Sequence, residues 1–167
     1  MCIRDSTYLT CINASDRDLE YFINELRNIG RPVVLVFFGD HQPSAATTLN
    51  DELYPQEDTA SHALRIYQST YFVWANYEIA GNTELNVYDT VGANEIAAIT
   101  LNKIGAPLTD YQKALLATRS DVPTINVAGY LGADGLRYDL ESEDSPYAST
   151  IDKLQRMQYL EFASKVQ

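Results

Sequence analysis

The chain has 167 residues, with 12 basic and 23 acidic side chains and a formal net charge of −11. Hydrophobic residues make up 46% of it and charged residues 21%, which is typical of a folded domain and excludes a disordered chain. The acidity argues against a nucleic-acid-binding protein and against a polybasic membrane-surface protein, because both need clustered Lys and Arg.

The charge is unevenly distributed along the chain. Residues 40–100 contain one basic residue, Arg65, and nine acidic ones, so this segment carries −8 of the total. Two interpretations are open for this segment: a solvated acidic face, and a cation site with acidic surroundings. For most of these carboxylates we expect the solvated face.

The N-terminus has no apolar core of a signal peptide, and no stretch approaches the roughly 20 apolar residues that cross a bilayer. The first six residues, Met-Cys-Ile-Arg-Asp-Ser, resemble a leader that recurs at the broken ends of assembled environmental sequences. We therefore expect residues 1–6 not to be native and the chain to be a piece of a longer protein.

The first part of the chain predicts a helix followed by a buried strand. Apolar residues at helical spacing predict a helix over 15–30, with Ser15 as its cap and Gly30 at its end, and a start near Thr7 is also compatible. Residues 33–38, Val-Val-Leu-Val-Phe-Phe, are apolar without alternation, which predicts a strand buried on both faces of a parallel sheet. A helix followed by such a strand indicates an α/β layer.

The remaining chain predicts a succession of short elements. We expect a loop over 45–63, a short helix near 60–67, a second strand over 69–75, a loop with a short edge strand over 76–89, helices over 92–104, 110–118 and 149–163, and a β-hairpin with strands 124–130 and 136–140 around a turn at 133–135. Asn94 and Thr109 are the predicted caps of two of these helices, and Gly105 is the predicted end of the first.

The residues with the most chemistry are Gly39-Asp40-His41-Gln42-Pro43-Ser44, directly after the predicted strand 33–38. Ligands of open α/β sheets bind at the carboxyl ends of strands. A tight turn can bring the Asp40 carboxylate and the His41 imidazole onto one divalent cation, and mixed oxygen and nitrogen ligands suit manganese, zinc or iron. In the alternative, Asp40 caps a turn and His41 is a surface or core histidine. The dipeptide by itself favours that alternative, and two ligands are fewer than a metal requires.

Residues 33–44 resemble the metal-binding strand and loop of the lipoteichoic acid synthase family, which are sulfatase-like enzymes of the alkaline phosphatase superfamily. Further similar segments follow in the family's order, at 67–77, 105–113, 125–130 with 134–135, and 157–159. The resemblance implies an α/β fold: the C-terminal part of an alkaline phosphatase/sulfatase-like sandwich with a mostly parallel central sheet, a late β-hairpin and a C-terminal helix. Residues 7–167 would then be the C-terminal portion of a catalytic domain whose N-terminal half is missing.

The resemblance also implies a function. Members of the family are anchored in the membrane, and their catalytic domain lies on the extracytoplasmic face. They use a divalent metal such as manganese and a Thr nucleophile to transfer a glycerophosphoryl group from an anionic phospholipid to a cell-envelope polymer acceptor. Asp40 and His41 match the family's paired metal ligands. The nucleophile, a Glu ligand and the substrate-binding His and Arg lie upstream of this segment in the family. We therefore expect no catalytic residue in this chain, no assignable substrate-binding residue, and a partner in the upstream half of its own domain.

Two kinds of rival function stay open. One is a hydrolase of the same superfamily, a sulfatase or phosphodiesterase, or a phosphoethanolamine transferase. The other is a non-catalytic α/β binding module in which Asp40 and His41 are structural. The remaining candidates have simpler interpretations: we expect exposure for His62, helix positions for Thr7 and Thr10, and solvated surface for the acidic residues within 139–144.

Overall fold

The computed structural model describes residues 3–79 and 90–166. The chain divides into two compact units: the first contains the residues up to Asp58 and Arg65–Glu78, and the second contains Thr59–Leu64 and the residues from Ile79 onward. The architecture is mixed α/β, as predicted. The described residues form helices α1 (Ile3–Arg27), α2 (Ser44–Leu53), α3 (Thr59–Arg65), α4 (Ile96–Lys103), α5 (Asp110–Thr118) and α6 (Ala148–Lys165), and strands β1 (Val34–Phe38), β2 (Tyr71–Ala75), β3 (Thr124–Asn126), β4 (Gly129–Leu131) and β5 (Arg137–Tyr138).

Among the described residues, the sheet of the first unit is one antiparallel pair of strands. β1 and β2 lie at the predicted places, with Val34 opposite Ala75 and Phe38 opposite Tyr71. The sheet pairings among the described residues are all antiparallel, so the expected parallel central sheet is not confirmed. The β-branched and aromatic residues favour an extended backbone but carry no information about the direction of the neighbouring strand.

The apolar side chains of β1 are less covered than the sequence suggested. Phe37 and Phe38 are 39% and 56% exposed, and as neighbours in a strand they point to opposite faces. Phe37 stacks on Phe72 across the ladder, with ring centroids 5.2 Å apart. This cross-strand pair stabilises the sheet, whereas the predicted burial of β1 on both faces is not found within the described residues.

A side-chain amide joins the end of α1 to the start of the sheet. Asn76 Nδ2 donates to the carbonyl oxygens of Leu26 at 3.2 Å and Arg31 at 3.0 Å, and its Oδ1 accepts from Val33 N at 2.9 Å. The last carbonyls of a helix have no partner inside the helix. Asn76 therefore supplies a donor for that helix end and holds the chain where it enters β1.

Two predictions about helices in the first unit are wrong. α1 begins at Ile3 and ends at Arg27, so Ser15 lies inside the helix and Gly30 lies beyond its end. Residues 44–53 form α2 instead of a loop. Pro43 precedes α2 with an extended backbone, and the Ala and Leu residues of this segment are strong helix formers. Its Ser, Thr and Asn residues suggested a loop, but propensity is a weak prior.

Two hydrophobic clusters form the core of the second unit. One contains Ala98, Leu115 and Leu154 from α4, α5 and α6, and the other contains Val122, Tyr130 and Ile151. Ile125 packs against both clusters. The second unit thus has a continuous apolar interior that connects its helices to the β3–β5 sheet.

The predicted helix ends in the second unit are right in part. Thr109 caps α5: its Oγ1 accepts from Gln112 N at 3.2 Å, while Gln112 Oε1 accepts from Thr109 N at 2.9 Å. This is the reciprocal capping box that Thr and Gln form at this spacing. Gly105 follows α4 with φ +70°, which confirms it as the end of that helix. α6 also lies where a final helix was expected.

Asn94 is not a helix cap. α4 is preceded by a 3₁₀ turn over Ala93–Glu95, and the cap of that turn is Gly92. The buried carboxylate of Glu95 accepts from Gly92 N at 3.3 Å and lies 3.2 Å from Arg119 Nε. A buried charge requires such partners, so Glu95 replaces Asn94 as the residue that organises this end of α4.

The late β segment contains two hairpins instead of the one predicted. β3, β4 and β5 pair in order, and all are antiparallel. The turn between β4 and β5 is the expected one. The turn between β3 and β4 was missed: Asn126 Oδ1 accepts from Ala128 N at 2.8 Å, and Gly129 has φ +138°. An Asn followed by Gly three residues later was the available signal.

Some expectations fall outside the described residues or concern the whole chain. The short edge strand expected within 76–89 falls largely on residues 80–89, which lie outside the described residues. In the ranges that the structure describes, no helix combines the length and the apolar character that crossing a membrane requires.

A carboxylate and a phenol pair at the β4–β5 turn. Tyr138 Oη donates to Asp134 Oδ2 at 2.7 Å, and Leu136 N donates to Asp134 Oδ1 at 3.0 Å. The hydrogen bond from Tyr138 lowers the pKa of Asp134. The same bond raises the pKa of Tyr138 to about 12. The ionised carboxylate with the neutral phenol is therefore the state that the fold favours.

We expect the substitution Tyr138→Phe to change how stability depends on pH. The Asp134 contribution is present above its unfolded pKa of 3.8 and is lost as pH falls below it. The Tyr138 contribution is present below 10.0 and is lost as pH rises towards 12. The difference in melting temperature between wild type and variant should thus be largest between these limits and shrink on both sides, as circular dichroism would measure.

Tyr130→Phe is the matched control, because the buried Tyr130 hydroxyl has no hydrogen-bond partner within the described structure. It should leave the acid side of the pH profile, which comes from Asp134, unchanged. A melting-temperature difference for Tyr138→Phe that stays constant across the whole pH range would contradict this account of the pair.

Candidate metal centre

Gly39 carries the chain from β1 to the candidate ligands. Its N donates to Thr70 O at 3.1 Å, and Ser69 Oγ donates to its carbonyl oxygen at 2.6 Å. Gly39 does not have a positive φ, so an unusual backbone conformation is not the reason for glycine here. A Cβ at this position would lie 2.9 Å from Ser69 Cβ. The backbone at Gly39 passes so close to Ser69 that a side chain at position 39 does not fit without a shift.

The two predicted metal ligands converge on one point. His41 Nε2 lies 3.3 Å from Asp40 Oδ2. The other ring nitrogen, Nδ1, lies 3.0 Å from the carbonyl oxygen of Gln42. The other carboxylate oxygen, Oδ1, accepts from His41 N at 2.8 Å. Each side chain thus uses one atom to hold the loop and directs its second atom at its neighbour.

The hydrogen-bond pattern assigns the tautomer of His41. A carbonyl oxygen only accepts, so Nδ1 carries the hydrogen that it donates to Gln42. In a neutral imidazole Nε2 then presents a lone pair towards the Asp40 carboxylate. The two atoms that face each other are thus a carboxylate oxygen and an imidazole nitrogen, both of which are donor atoms for a divalent cation.

The spacing suits two neighbouring ligands of one metal ion. Ligands about 2.1 Å from a cation lie about 3.0 Å apart at a right angle and about 3.4 Å apart at the tetrahedral angle. The observed 3.3 Å falls between these values. Both side chains are open to solvent, with 70% of His41 and 83% of Asp40 exposed. The pair fits as one side of a cation site.

The remaining ligands of such a site must come from other groups. A zinc-like or manganese-like ion takes four or more. Within residues 3–79 and 90–166, no cluster of three or more His, Cys, Asp or Glu side chains is placed to hold a metal. The structure therefore brings together the two predicted ligands and adds no third protein ligand from the described part of the chain.

Asp40 also makes a contact within the loop. Its Oδ1 accepts from the N–H of the next residue, His41, at 2.8 Å. Because it uses Oδ1, the second oxygen, Oδ2, stays directed at His41 Nε2. The structural role and the ligand role use different atoms and do not exclude each other.

Gln42 is a residue of this site that sequence reasoning missed. Its Nε2 donates to the carbonyl oxygens of Arg65 at 2.9 Å and Gln68 at 3.0 Å, and its Oε1 accepts from Asn50 Nδ2 at 2.8 Å. The only signal in the sequence was its place next to the ligand pair. Its partners lie 8 to 26 residues away along the chain, so no local pattern identifies them.

Arg65, the only basic residue within 40–100, forms ion pairs inside the first unit. Its Nε lies 2.7 Å from Glu57 and its Nη2 lies 3.1 Å from Asp51, and the guanidinium stacks over Tyr54 at 5.0 Å. The hydrogen bond with Glu57 raises the pKa of Arg65, with a further contribution from Asp51. Only 10% of the side chain is exposed, so its charge stabilises the first unit and does not face solvent as a phosphate-binding group.

The other candidates are placed as follows. His62 is half-buried in α3, so the expected exposure is wrong. Thr10 Oγ1 donates to Ser6 O within α1, which agrees with a helix position. The acidic residues of the segment 139–144 are exposed, which confirms solvated surface: Asp139, Glu141, Glu143 and Asp144.

Comparison with known proteins identifies no relative of this chain. No protein-family model, curated protein or solved structure matches this chain. The resemblance of residues 33–44 to the lipoteichoic acid synthase family therefore supports a proposal about function.

We expect Gly39→Ala to destabilise the protein by about 1–3 kcal/mol, the usual cost of forcing an extra methyl group into a packed site. The new Cβ would press on Ser69 Cβ, 2.9 Å away. Chemical denaturation measures the change. Gly30→Ala is the control, because a Cβ there meets nothing within 4 Å.

The double variant Gly39→Ala, Ser69→Gly removes the clashing atom and should recover part of the loss. If Gly39→Ala and Gly30→Ala changed stability equally, the close approach at Gly39 would not be the reason for its glycine.

Proposed function

We propose that residues 7–167 form the C-terminal part of the catalytic domain of a metal-dependent phosphoglycerol transferase resembling lipoteichoic acid synthase. One observation carries the proposal. Asp40 Oδ2 and His41 Nε2 meet at 3.3 Å at the end of β1, within the segment 33–44 that resembles the family's metal-binding strand and loop.

Asp40 and His41 are the proposed ligands of a divalent metal, for which manganese fits the mixed oxygen and nitrogen donors. Such a cation, when bound, lowers the pKa of a hydroxyl nucleophile and neutralises charge on phosphoryl oxygens. Asp40 contributes the negative charge of the ligand pair. His41 contributes a neutral nitrogen whose orientation the Gln42 carbonyl holds.

The Thr nucleophile, a Glu ligand and the substrate-binding His and Arg belong, in this proposal, to a preceding segment. The pairing of Arg65 with Glu57 and Asp51 supports this, because it leaves residues 40–100 without a free basic group for phosphate. The exposed Phe37 and Phe38 support it as well, since apolar residues on both faces are typical of a strand inside a larger, mostly parallel sheet.

The proposed substrate is an anionic phospholipid, the acceptor is a cell-envelope polymer, and the place of reaction is the extracytoplasmic face of the cell membrane. The net charge of −11 is unfavourable for binding an anionic head group. The metal and the basic residues of the preceding segment therefore have to supply the attraction.

A second candidate is a non-catalytic binding module. The bond from His41 N to Asp40 Oδ1 favours it, because this contact gives Asp40 a role within the loop that needs no metal. In that function the approach of His41 Nε2 to Asp40 Oδ2, at 3.3 Å, is a structural contact of the loop.

Manganese binding separates the two candidates. We expect Mn²⁺ added to the 167-residue chain to broaden the ring resonances of His41 at lower concentration than those of His62, the only other histidine. Asp40→Asn should abolish this preference, because it removes the charged ligand. Asp144→Asn is the control, since it neutralises an exposed carboxylate that is not part of the pair. Equal broadening of both histidines in the wild type would favour the binding module.

The chain by itself should be inactive as a transferase. It brings two ligands and no nucleophile of the proposed mechanism, so Mn²⁺ and phosphatidylglycerol vesicles should yield no release of glycerophosphate above the rate without protein. Manganese-dependent release by the chain, lost in Asp40→Asn, would show that a nucleophile lies within these residues and would overturn this part of the proposal.

A further inference from the structure

The Gln42 side chain makes three hydrogen bonds to the surrounding fold. Its Nε2 donates to Arg65 O at 2.9 Å and to Gln68 O at 3.0 Å, and its Oε1 accepts from Asn50 Nδ2 at 2.8 Å. Both amide hydrogens are used, and the oxygen has a donor. Gln42 is half-buried, whereas Asp40 and His41 on the same loop are exposed.

Only an amide of this length meets these demands. Glu has no hydrogen to donate to the two carbonyl oxygens, and Lys has no acceptor for Asn50. Met has a similar shape but cannot donate to either carbonyl. The contacts thus require the chemistry of glutamine and not only its volume.

The backbone of the same residue holds His41. The Gln42 carbonyl oxygen lies 3.0 Å from His41 Nδ1. In metal sites, a carbonyl that accepts from one ring nitrogen sets the tautomer and the ring orientation that the other nitrogen presents to the metal. Where Gln42 is held therefore determines where His41 Nε2 points.

The groups that hold Gln42 are themselves fixed. Asn50 belongs to α2, and Gln68 lies just before β2. Arg65 is held through its side chain by Glu57 at 2.7 Å and Asp51 at 3.1 Å. These contacts connect the loop after β1 to α2 and to the chain that enters β2, so an exposed loop gains a rigid support.

We propose that Gln42 is the positioning residue of the metal site: its side chain locks the loop so that His41 Nε2 and Asp40 Oδ2 stay at ligand spacing. This inference rests on the proposed metal function. Removing the Gln42 side chain deletes no ligand but frees the loop. Loss of such supporting contacts typically lowers metal affinity 10–100-fold.

The test uses the 167-residue chain, Mn²⁺ alone and the ring resonances of His41. Gln42→Ala should need about tenfold more Mn²⁺ than wild type for equal broadening. Gln42→Glu should lose affinity as well, because a carboxylate cannot donate to the Arg65 and Gln68 carbonyls. Gln68→Ala is the matched control: it removes an exposed side-chain amide and keeps the carbonyl that Gln42 uses.

Asn50→Ala removes the α2 side chain that donates to Gln42 Oε1. It should weaken Mn²⁺ binding less than Gln42→Ala does, since Gln42 keeps both of its donor contacts. The double variant should be no weaker than Gln42→Ala alone, because Asn50 acts through Gln42. If Gln42→Ala fails to fold, as amide spectra would show, the folded Asn50→Ala and Gln42→Glu variants decide.

A second readout needs no metal. The ring ¹⁵N shifts of His41 should report the Nδ1–H tautomer in wild type and a mixture of tautomers in Gln42→Ala. Wild-type shifts and wild-type affinity in the Gln42 variants would overturn the positioning role while leaving the metal function intact. Absence of Mn²⁺ binding at His41 in wild type would overturn the metal function, and the ¹⁵N shifts would then still decide whether Gln42 orients the ring.

Discussion

The first unit depends on two side-chain amides that satisfy backbone groups at opposite ends of the β1–β2 pair. Asn76 binds the carbonyls of Leu26 and Arg31 and the N–H of Val33, where the chain enters β1. Gln42 donates to the carbonyls of Arg65 and Gln68 where the chain leaves β1. A sheet of only two strands is marginal in water, and backbone groups left without partners are costly. These amides therefore supply hydrogen-bond partners for backbone groups that the short ladder leaves unpaired.

The candidate site inherits its geometry from this arrangement. The ladder continues past β1 through Gly39 N and Thr70 O, so Asp40 and His41 begin at a defined place. One side-chain atom of each residue holds the loop, and the second faces the neighbouring side chain at 3.3 Å. The one basic residue within 40–100, Arg65, is paired with Glu57 and Asp51 and is mostly buried.

Sequence reasoning was reliable where the determinant is local. The strands β1 and β2 follow from runs of β-branched and aromatic residues, and α5 follows from the Thr109 cap with Gln112 three residues on. It was wrong where weak preferences competed. In α2, Ser, Thr and Asn suggested a loop, but Pro43 and the Ala and Leu residues support a helix. Asn94 was the expected cap of α4, but the buried carboxylate of Glu95 accepts the backbone hydrogen bond at that helix end.

By itself, the sequence determined which residue types stand at the end of β1: a glycine, a carboxylate and an imidazole in consecutive order, which suffices to nominate a metal-ligand pair. Tertiary structure decided the rest. It decided that β1 pairs antiparallel with β2, that Gly39 is needed because Ser69 approaches it, and that Gln42 reaches Arg65 and Gln68. The physical reason is distance along the chain. A residue's own preferences act within one turn or strand. These contacts instead join residues from 23 positions apart, for Gln42 and Arg65, to 41 positions apart, for Val34 and Ala75, and only packing brings such residues together.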